Sequence, residues 1–197
     1  MDNKTIDFYN HNADKYSKWR SDQSADEAQT IFLQNTKSAG HVLDLGCGTG
    51  EKTLWFKQKG LMVTAVDASG EMLKYLTNIK GVSCSQMDIT ELDFEEKFDG
   101  IWASFSVQHL EINEQDKLFA KIPKNLKEGG VFYLGMHEGT QSYRDQLGRL
   151  YVPRSENDLR NNCASNNLSI FNFFREQSTS FDGKPIKVMH LFARLKA

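Results

Sequence analysis

Three glycines at every second position, Gly46, Gly48 and Gly50, follow an apolar segment and come just before a Glu-Lys-Thr sequence. Glycine lets a backbone turn sharply and approach a ligand without Cβ atoms in the way. Loops of this kind join a strand to a helix at nucleotide-binding sites, where backbone N–H groups at the helix start face the ligand. The spacing therefore predicts a ligand-binding loop, and the neighbouring residues restrict which ligand it holds.

Two phosphate-binding interpretations of this loop fail at one residue. The pattern of Gly, four residues and Gly-Lys-Ser/Thr matches positions 46–53 except that Glu51 occupies the second glycine position. The dinucleotide pattern Gly-x-Gly-x-x-Gly also fails, because the third glycine comes one place early and Glu51 again stands where glycine is required. A carboxylate at a helix start disfavours an anionic ligand, so we expect a ligand with little negative charge.

The segment VLDLGCGTG also matches the motif of a family whose ligand carries little negative charge. It resembles the first motif of class I S-adenosylmethionine-dependent methyltransferases, strand-(Asp/Glu)-x-Gly-x-Gly-x-Gly. Asp44 and the three glycines fill the four named positions, and Cys47 stands at a small-residue position inside the loop. S-adenosylmethionine carries a sulfonium and a zwitterionic amino-acid end and has no phosphate. The resemblance covers nearly the whole chain and implies a methyltransferase with S-adenosylmethionine as its cofactor.

Further motifs of the family follow the next strands, and the resemblance implies their roles. Asp67, at the end of VTAVD, corresponds to the acid that accepts both ribose hydroxyls, and such charge-assisted bonds are worth about 1.5–3 kcal/mol each. Asp88 corresponds to the acceptor of the adenine amino group. Taken singly, Asp67 is equally consistent with a helix cap, Asp88 with a turn and Met72 with the core. The other implied cofactor residues are Ala68, Met72 and Ile89 around the purine, and Ala103 and Ser104 at the methionine end.

The amino-terminal segment IDFYNHNADKYSKW has helical periodicity. Its apolar face would contain Ile6, Tyr9, Ala13 and Tyr16, and this spacing alone is equally consistent with a packed core stripe. The segment also resembles the tyrosine-containing arm of small-molecule methyltransferases, in which tyrosine hydroxyls reach the methionine carboxylate and the arm closes over the site. The resemblance therefore implies a lid in which Tyr9 and Tyr16 bind the cofactor.

The chain also contains candidates for acid–base chemistry. Methyl transfer to a heteroatom is a direct displacement, so a base is useful when the nucleophile carries a proton. The residues alone do not single out one base, and His11, His41 and His190 are expected to be structural. The candidates near the expected ends of the fourth and fifth strands are His109, His137, Glu138 and Tyr143.

The acceptor is expected to be a small molecule. The Asn/Asp-Pro-Pro-Tyr signature with which family members methylate adenine or amide nitrogens is absent, because the corresponding stretch reads ASFS. After the fifth strand, the segment YRDQLGRLYVPRSEN combines aromatic rings with arginines, and we predict that Arg149 and Tyr151 bind the acceptor, with Arg149 pairing to a carboxylate or phosphate. The alternative is a solvated loop whose arginines pair with Asp145, Glu156 or Asp158.

These residues require a scaffold that brings several strand ends together. Short β-branched or aromatic runs alternate with helical segments through the middle of the chain, and this order implies a parallel sheet. The segments LSIFNFFREQST and IKVMHLFARLKA flank an Asp182-Gly183 turn, which predicts an antiparallel hairpin. Together with the resemblance, the predicted fold class is α/β: a Rossmann-like three-layer sandwich with a seven-stranded, mostly parallel sheet and an antiparallel last strand.

Capping residues predict where helices begin and end. Asn113 with Asp116, and Ser155 with Asp158, predict helix starts, and the pair at 129–130 predicts a helix end. We expect one domain over residues 1–197. Its predicted parts are a helical arm or lid at 1–39, a cofactor-binding core at 40–136, an acceptor loop at 137–157, and a helix with a hairpin at 158–197.

Composition limits the remaining function classes. A net charge of −2, with both signs interspersed, favours neither nucleic acid nor anionic lipid as a partner. Three widely spaced cysteines indicate neither a disulfide framework nor a zinc site, and we expect no metal and a cytoplasmic location. No apolar run approaches the roughly 20 residues of a membrane span. An NAD-dependent oxidoreductase and a non-catalytic S-adenosylmethionine-binding regulatory protein stay open as alternatives, and the oligomeric state is not predicted.

Overall fold

The computed structural model of the protein describes residues 1–20 and 26–196. The helices are α1 Asn3–Arg20, α2 Glu27–Asn35, α3 Glu51–Gln58, α4 Gly70–Leu73, α5 Ile112–Asn125 and α6 Glu156–Ser165. The strands are β1 His41–Leu45, β2 Met62–Asp67, β3 Val82–Gln86, β4 Phe98–Ser104, β5 Leu126–His137, β6 Tyr143–Arg144, β7 Leu150–Tyr151, β8 Leu168–Thr179 and β9 Pro185–Leu195. Within these residues, no helix is both long enough and apolar enough to cross a membrane.

The main sheet has seven strands in the order β3-β2-β1-β4-β5-β9-β8. Strand β9 runs antiparallel to both of its neighbours, and the other neighbouring strands are parallel. The predicted fold class is therefore confirmed. The strand order reverses between β1 and β4, and in open α/β sheets ligands bind outside the carboxyl ends of the strands at such a point.

Apolar side chains cover both faces of this sheet. Along β1, Leu43 and Leu45 belong to one buried cluster and Val42 belongs to another, as the alternation of side chains along a strand requires. Helices α5 and α6 contribute to the first cluster, and Phe32 of α2 and Phe56 of α3 contribute to the second. Because both faces are covered, the central strands are nearly continuous apolar runs in the sequence.

Helix α5 begins at a different capping residue from the predicted one. Its N-cap is Glu111, whose N–H donates to Glu114 Oε2 at 3.0 Å. The predicted pair of Asn113 with Asp116 is wrong, because Asp116 Oδ1 instead accepts a hydrogen bond from Arg154 Nη2 at 2.5 Å. A distant arginine has thus taken the carboxylate that the local pattern assigned to a cap.

Strand β5 begins directly after α5, so Gly129 and Gly130 lie inside a strand and do not end a helix. Leu126 pairs with Phe98, and the register then shifts before the pairing of Gly100 with Val131. Gly129 has φ +70°, a left-handed conformation that glycine adopts at little cost. The glycine pair therefore permits an irregularity in the pairing of β5 with β4.

Helix α1 lies at the carboxyl ends of the strands and contacts two separate segments. Ser69, after β2, donates to Asn10 Oδ1 at 2.6 Å. Leu150 N–H donates to Thr5 Oγ1 at 2.9 Å. Leu150 belongs to the antiparallel hairpin of β6 and β7, which lies within the segment that the sequence predicted as a loop at 137–157. The helix thus bridges the β2–α4 connection and this hairpin.

Candidate active site

The glycine loop is fixed by backbone hydrogen bonds and by close contacts. The N–H groups of Gly46 and Cys47 both donate to Val66 O, at 2.8 and 2.9 Å. Gly46 has φ +79°, and a Cβ atom there would lie 2.3 Å from Ser106 Cβ. A side chain at this position is therefore excluded by both backbone conformation and space. Burial raises the pKa of the Cys47 thiol well above its ordinary value, which disfavours the thiolate form.

Asp67 holds the loop from the neighbouring strand. Its Oδ2 accepts from Gly48 N at 2.8 Å and its Oδ1 accepts from Ser69 N at 2.8 Å. Burial raises the pKa of Asp67, and these N–H donors oppose the rise. Each carboxylate oxygen has a second acceptor position, so the side chain can also accept two vicinal hydroxyls. The geometry is consistent with the predicted ribose contact.

Asp44, near the end of β1, is hydrogen-bonded to the helix that follows the glycine loop. The side chain is 2% exposed, and its Oδ2 accepts from Thr53 Oγ1 at 2.6 Å. Burial raises the pKa of Asp44 to about 7, and the hydrogen bond from Thr53 opposes this rise. The motif acid therefore joins the strand before the loop to the helix after it.

Three cavities share two lining residues, Tyr16 and Ser104, and two of the three contain residues of the glycine loop. The Asp67 cavity is also lined by Met1, Tyr9, Gly46, Gly48, Asp67, Ala68, Met72, Phe105, Ser106 and His109. The Glu51 cavity is also lined by Asp44, Gly46, Cys47, Gly48, Thr49, Glu51, Lys52 and Trp102. The His137 cavity is also lined by Tyr9, Trp19, Asp26, Lys52, Phe105, Gln108, His137, Arg149, Tyr151, Glu176, Ser178, Thr179, Ser180, Phe181, Ile186 and His190.

The Glu51 cavity contains two buried polar atoms without partners among the described residues. They are Glu51 Oε2 and Trp102 Nε1, and neither forms a hydrogen bond within that part of the chain. Lys52 lies beside them, and its Nζ contacts Gln29 Oε1 at 2.9 Å and Asp26 Oδ2 at 3.2 Å. A buried donor and a buried acceptor without partners are costly, which makes a zwitterionic ligand group a good occupant. In the sequence, Glu51 and Lys52 stand out only as a mismatch and a match to a phosphate-binding pattern, so this cavity was not predicted.

Phe105 turns the chain sharply after β4. Its φ is +59°, a left-handed conformation that costs on the order of 1 kcal/mol for a residue other than glycine. Its N–H donates to Gly135 O at 2.8 Å, which ties the turn to β5. This turn brings Ser104 and Phe105 to the boundary between the Asp67 and His137 cavities. Backbone strain of this kind concentrates at functional sites.

His109 is engaged at both ring nitrogens. Nδ1 lies 2.5 Å from Leu150 O, a carbonyl that can only accept, so Nδ1 carries the proton. Nε2 lies 3.1 Å from Tyr9 Oη and therefore accepts from that hydroxyl. Burial lowers the pKa of His109 to about 4. In this arrangement His109 fixes Tyr9 against the β6–β7 hairpin and has no free nitrogen for a proton.

His137 is engaged at one ring nitrogen only. Nδ1 lies 3.0 Å from Tyr143 Oη, and the ring stacks on Tyr151 with 4.8 Å between ring centroids. Burial lowers the pKa of His137 to about 4, so the ring is neutral at pH 7. Among the described residues no partner contacts Nε2, and the side chain lines a cavity. Of the predicted base candidates, His137 has the most suitable geometry.

Arg149 is buried rather than solvated. It is 2% exposed, and its Nε donates to Asp145 Oδ2 at 2.8 Å. The guanidinium carbon lies 5.0 Å from the ring centre of Phe8, 5.3 Å from that of Tyr151 and 5.6 Å from that of Phe181. Its charge is therefore already balanced by a carboxylate and surrounded by rings. Arg149 pairs with Asp145, as the alternative prediction of a solvated loop expected. Arg149 is nevertheless buried and not exposed to solvent, so that alternative is only partly correct.

Comparison with known proteins identifies the family. A family model described as a methyltransferase domain matches residues 42–130. An uncharacterized methyltransferase of Staphylococcus carnosus is 24% identical over 151 residues, which make up 69% of this chain and 73% of that protein. Trans-aconitate 2-methyltransferase of Deinococcus radiodurans is 31% identical over 127 residues, which make up 61% of this chain and 46% of that protein.

The fold comparison agrees with this match. The Burkholderia thailandensis 1,6-didemethyltoxoflavin-N1-methyltransferase, solved with S-adenosylhomocysteine, has a TM-score of 0.79 at 22% identity and covers 97% of this chain and 86% of its own. Residues 42–130 thus form a methyltransferase domain, and the fold is that of the class I S-adenosylmethionine-dependent methyltransferases. This assignment confirms the predictions of a methyltransferase and of S-adenosylmethionine as its cofactor.

Some predicted residues of this methyltransferase do not reach the three cavities. Ile89 and Ala103 are fully buried in the apolar core. Gly50 packs against Leu76, because a Cβ atom on Gly50 would lie 2.3 Å from Leu76 Cδ2. Asp88 Oδ2 accepts from the Met1 amino group at 2.6 Å, and its Oδ1 accepts from Thr90 N. The adenine roles of Asp88 and Ile89 stay predictions.

The other base candidates of the methyltransferase lie outside the His137 cavity. Glu138 Oε1 accepts from Arg175 Nε at 2.9 Å, and Tyr143 reaches the cavity only through His137. Among the described residues, no three His, Cys, Asp or Glu side chains are grouped closely enough to hold a metal ion.

Several residues of the His137 cavity were missed or misassigned by the sequence analysis. His190 was expected to be structural, yet it lines the cavity, with Nδ1 2.9 Å from Tyr133 Oη and Nε2 3.3 Å from Glu176 Oε1. Phe181 comes from the hairpin turn, whose sequence signals only a turn. No local pattern marks these positions, because they belong to elements far apart in the sequence. The missed lining residues include Trp19, Gln108, Glu176 and Phe181.

Proposed function

We propose that this methyltransferase transfers a methyl group from S-adenosylmethionine to a small-molecule acceptor in the His137 cavity. The observation that carries the proposal is the meeting of three cavities at Tyr16 and Ser104. Asp67 lies in one of the other two cavities and Glu51 in the other, so a cofactor and an acceptor have adjoining compartments. The names of the Deinococcus and Burkholderia relatives indicate small-molecule acceptors, which supports this choice.

The cofactor site is assigned from the chemistry of the lining. Asp67 would accept the ribose hydroxyls, and Ala68 and Met72 offer apolar surface to the purine. Glu51 Oε2 is a suitable acceptor for the ammonium of the methionine end, and Trp102 Nε1 is a suitable donor to its carboxylate. These complementary charges agree with the expectation of a ligand that has little net negative charge.

The amino-terminal arm is proposed to cover both compartments. Tyr16 lies close to the loop, since a Cβ atom on Gly48 would be 3.7 Å from Tyr16 Cε1. Tyr9 lines the Asp67 and His137 cavities, but its hydroxyl contacts His109, so a bond from Tyr9 to the methionine carboxylate requires a rearrangement. A cover of this kind excludes water from the reacting groups.

His137 is proposed as the proton acceptor. S-adenosylmethionine supplies an electrophilic methyl group, which a lone pair of the acceptor displaces from sulfur. In the tautomer whose Nδ1–H donates to Tyr143 Oη, Nε2 is free to take the proton that the acceptor loses. The cavity walls hold the acceptor in line with the methyl group, and such positioning is worth about 7–11 kcal/mol.

The test is acceptor-dependent formation of S-adenosylhomocysteine with a panel of metabolites, together with binding measurements for S-adenosylmethionine and NAD. We expect binding of S-adenosylmethionine, no binding of NAD, and turnover with at least one compound. Binding of NAD in its place would support an oxidoreductase. Binding of S-adenosylmethionine without turnover on any compound would support the regulatory alternative.

A further inference from the structure

The cationic side chains of the His137 cavity already have carboxylate partners. Arg149 lies against Asp145, and both side chains are at most 5% exposed. Lys52 Nζ lies 3.2 Å from both Asp26 Oδ2 and Glu51 Oε1. Breaking the Arg149 pair to bind an anionic acceptor would leave the carboxylate of Asp145 buried without its partner. Lys52 and Arg149 of the described lining are thus both already paired with carboxylates.

One carboxylate of this cavity has no cationic partner. Glu176 Oε1 contacts His190 Nε2 at 3.3 Å, and no lysine or arginine of the described residues forms an ion pair with Glu176. Burial lowers the pKa of His190, so this contact does not neutralise the carboxylate at pH 7. The adjacent Arg175 is engaged elsewhere, with Glu138 and Glu156.

Aromatic rings form a wall of the same cavity. The ring centres of Tyr16 and Trp19 are 5.5 Å apart, those of Tyr16 and Phe181 are 5.6 Å apart, and those of Trp19 and Phe181 are 5.4 Å apart. Such rings contact flat apolar surface and attract cations through their faces. The wall therefore favours a positively charged ligand, as Glu176 does.

We infer that the acceptor is an aromatic compound that carries a positively charged amine and neither a carboxylate nor a phosphate. The amine lies beside Glu176, and the ring lies against Tyr16, Trp19 and Phe181. The reacting atom lies near Ser104 and His137, which line the same cavity. This inference rests on the proposed function and replaces the expectation that Arg149 pairs with an anionic group of the acceptor.

The experiment compares matched fragments on protein saturated with S-adenosylhomocysteine. Calorimetry measures binding of 2-phenylethylamine, 2-phenylethanol and 3-phenylpropanoate at neutral pH. We expect the amine to bind about tenfold more tightly than the carboxylate, with the alcohol between them. Equal binding of the three, tighter binding of the carboxylate, or binding of none overturns the inference.

A variant separates the charge of Glu176 from its structural contact. Glu176→Gln keeps an oxygen that accepts from His190 Nε2 and removes only the charge, so the fold is expected to persist. It should weaken amine binding about fivefold and leave the alcohol unchanged, whereas Glu95→Gln, an exposed control, should change neither. Unchanged amine binding in Glu176→Gln overturns the inference.

Failure of the proposed function has a different signature from failure of this inference. Titration of S-adenosylhomocysteine before the fragments are added reports on the cofactor site alone. If the cofactor product does not bind, the proposed function fails. If it binds and the fragments show no preference for the amine, only the acceptor class fails.

Discussion

The two halves of the active site are built from different amounts of chain. The Asp67 and glycine-loop region is a nearly continuous segment, Asp44 to Met72, over two successive strand–helix units. The His137 cavity is assembled from α1, the end of β4, residues 137–151 and the β8–β9 hairpin. Contacts in the first half are mostly local and involve the backbone, whereas those in the second half join side chains from distant segments. The residues of the first half can therefore be predicted from a sequence motif, whereas those of the second half are brought together only by tertiary packing.

The largest expected effect tests whether the second half is held by its buried ion pair. Arg149→Ala leaves Asp145 buried without a partner and should reduce the free energy of unfolding by about 3–5 kcal/mol. Arg144→Ala removes an ion pair with Asp2 in which Arg144 is 40% exposed, and should cost much less because solvent screens the pair. Urea denaturation of both variants gives the comparison. Equal losses would show that burial does not distinguish the two pairs.

The next prediction separates chemistry from cofactor binding. His137→Asn should lower turnover about 100-fold, because the proton acceptor is lost, and should leave S-adenosylmethionine affinity within about threefold. Single-turnover kinetics and calorimetry measure the two quantities. His11→Asn, at an exposed position of α1, is the control. A parallel loss of affinity in His137→Asn would place this residue in the cofactor half.

Two buried groups of the active site should respond to pH in opposite directions. The pKa of His109 is about 4 in the folded state against an ordinary 6.5, so the unfolded chain binds more protons between these values and stability falls as pH drops through this range. The pKa of Asp44 is about 7 against 3.8, so its contribution falls as pH rises through that range.

Denaturation across this pH range in two variants checks these signs. His109→Gln should remove about 3 kcal/mol of the loss on the acid side, and Asp44→Asn should remove a loss of about 4 kcal/mol toward neutral pH. Identical pH profiles for the wild type and both variants would contradict the assigned burial of these groups.

The smallest expected effect concerns the cofactor half. Asp67→Ala should weaken S-adenosylmethionine binding at least about tenfold, or about 1.4 kcal/mol, because charge-assisted contacts to the ribose are lost. Asp93→Ala, at an exposed position outside the three cavities, should leave the affinity unchanged. Calorimetry on folded protein measures both. Unchanged affinity in Asp67→Ala would remove this residue from the site.

Local patterns were sufficient for the sheet and the glycine loop. Alternating strands and helices, the turn at Asp182-Gly183 and the motif around Asp44 each depend on residues close in sequence, and the fold class that they predicted is confirmed. The capping pair at Ser155 and Asp158 is also present, with Ser155 Oγ accepting from Asp158 N. The prediction at Asn113 failed because a distant arginine competes for Asp116, and no local rule contains that contact.

The sequence by itself determined the alternation of strands and helices, because this alternation depends on periodic burial, and its resemblance to the methyltransferase motif implied the cofactor. The tertiary structure decided the states of the long polar side chains. Arg149 forms a buried ion pair with Asp145, and both ring nitrogens of His109 are hydrogen-bonded. His190 lines a cavity from the middle of a strand. Whether a polar side chain binds a ligand or a neighbouring residue depends on which distant segments pack against it. A local sequence pattern does not contain these long-range contacts.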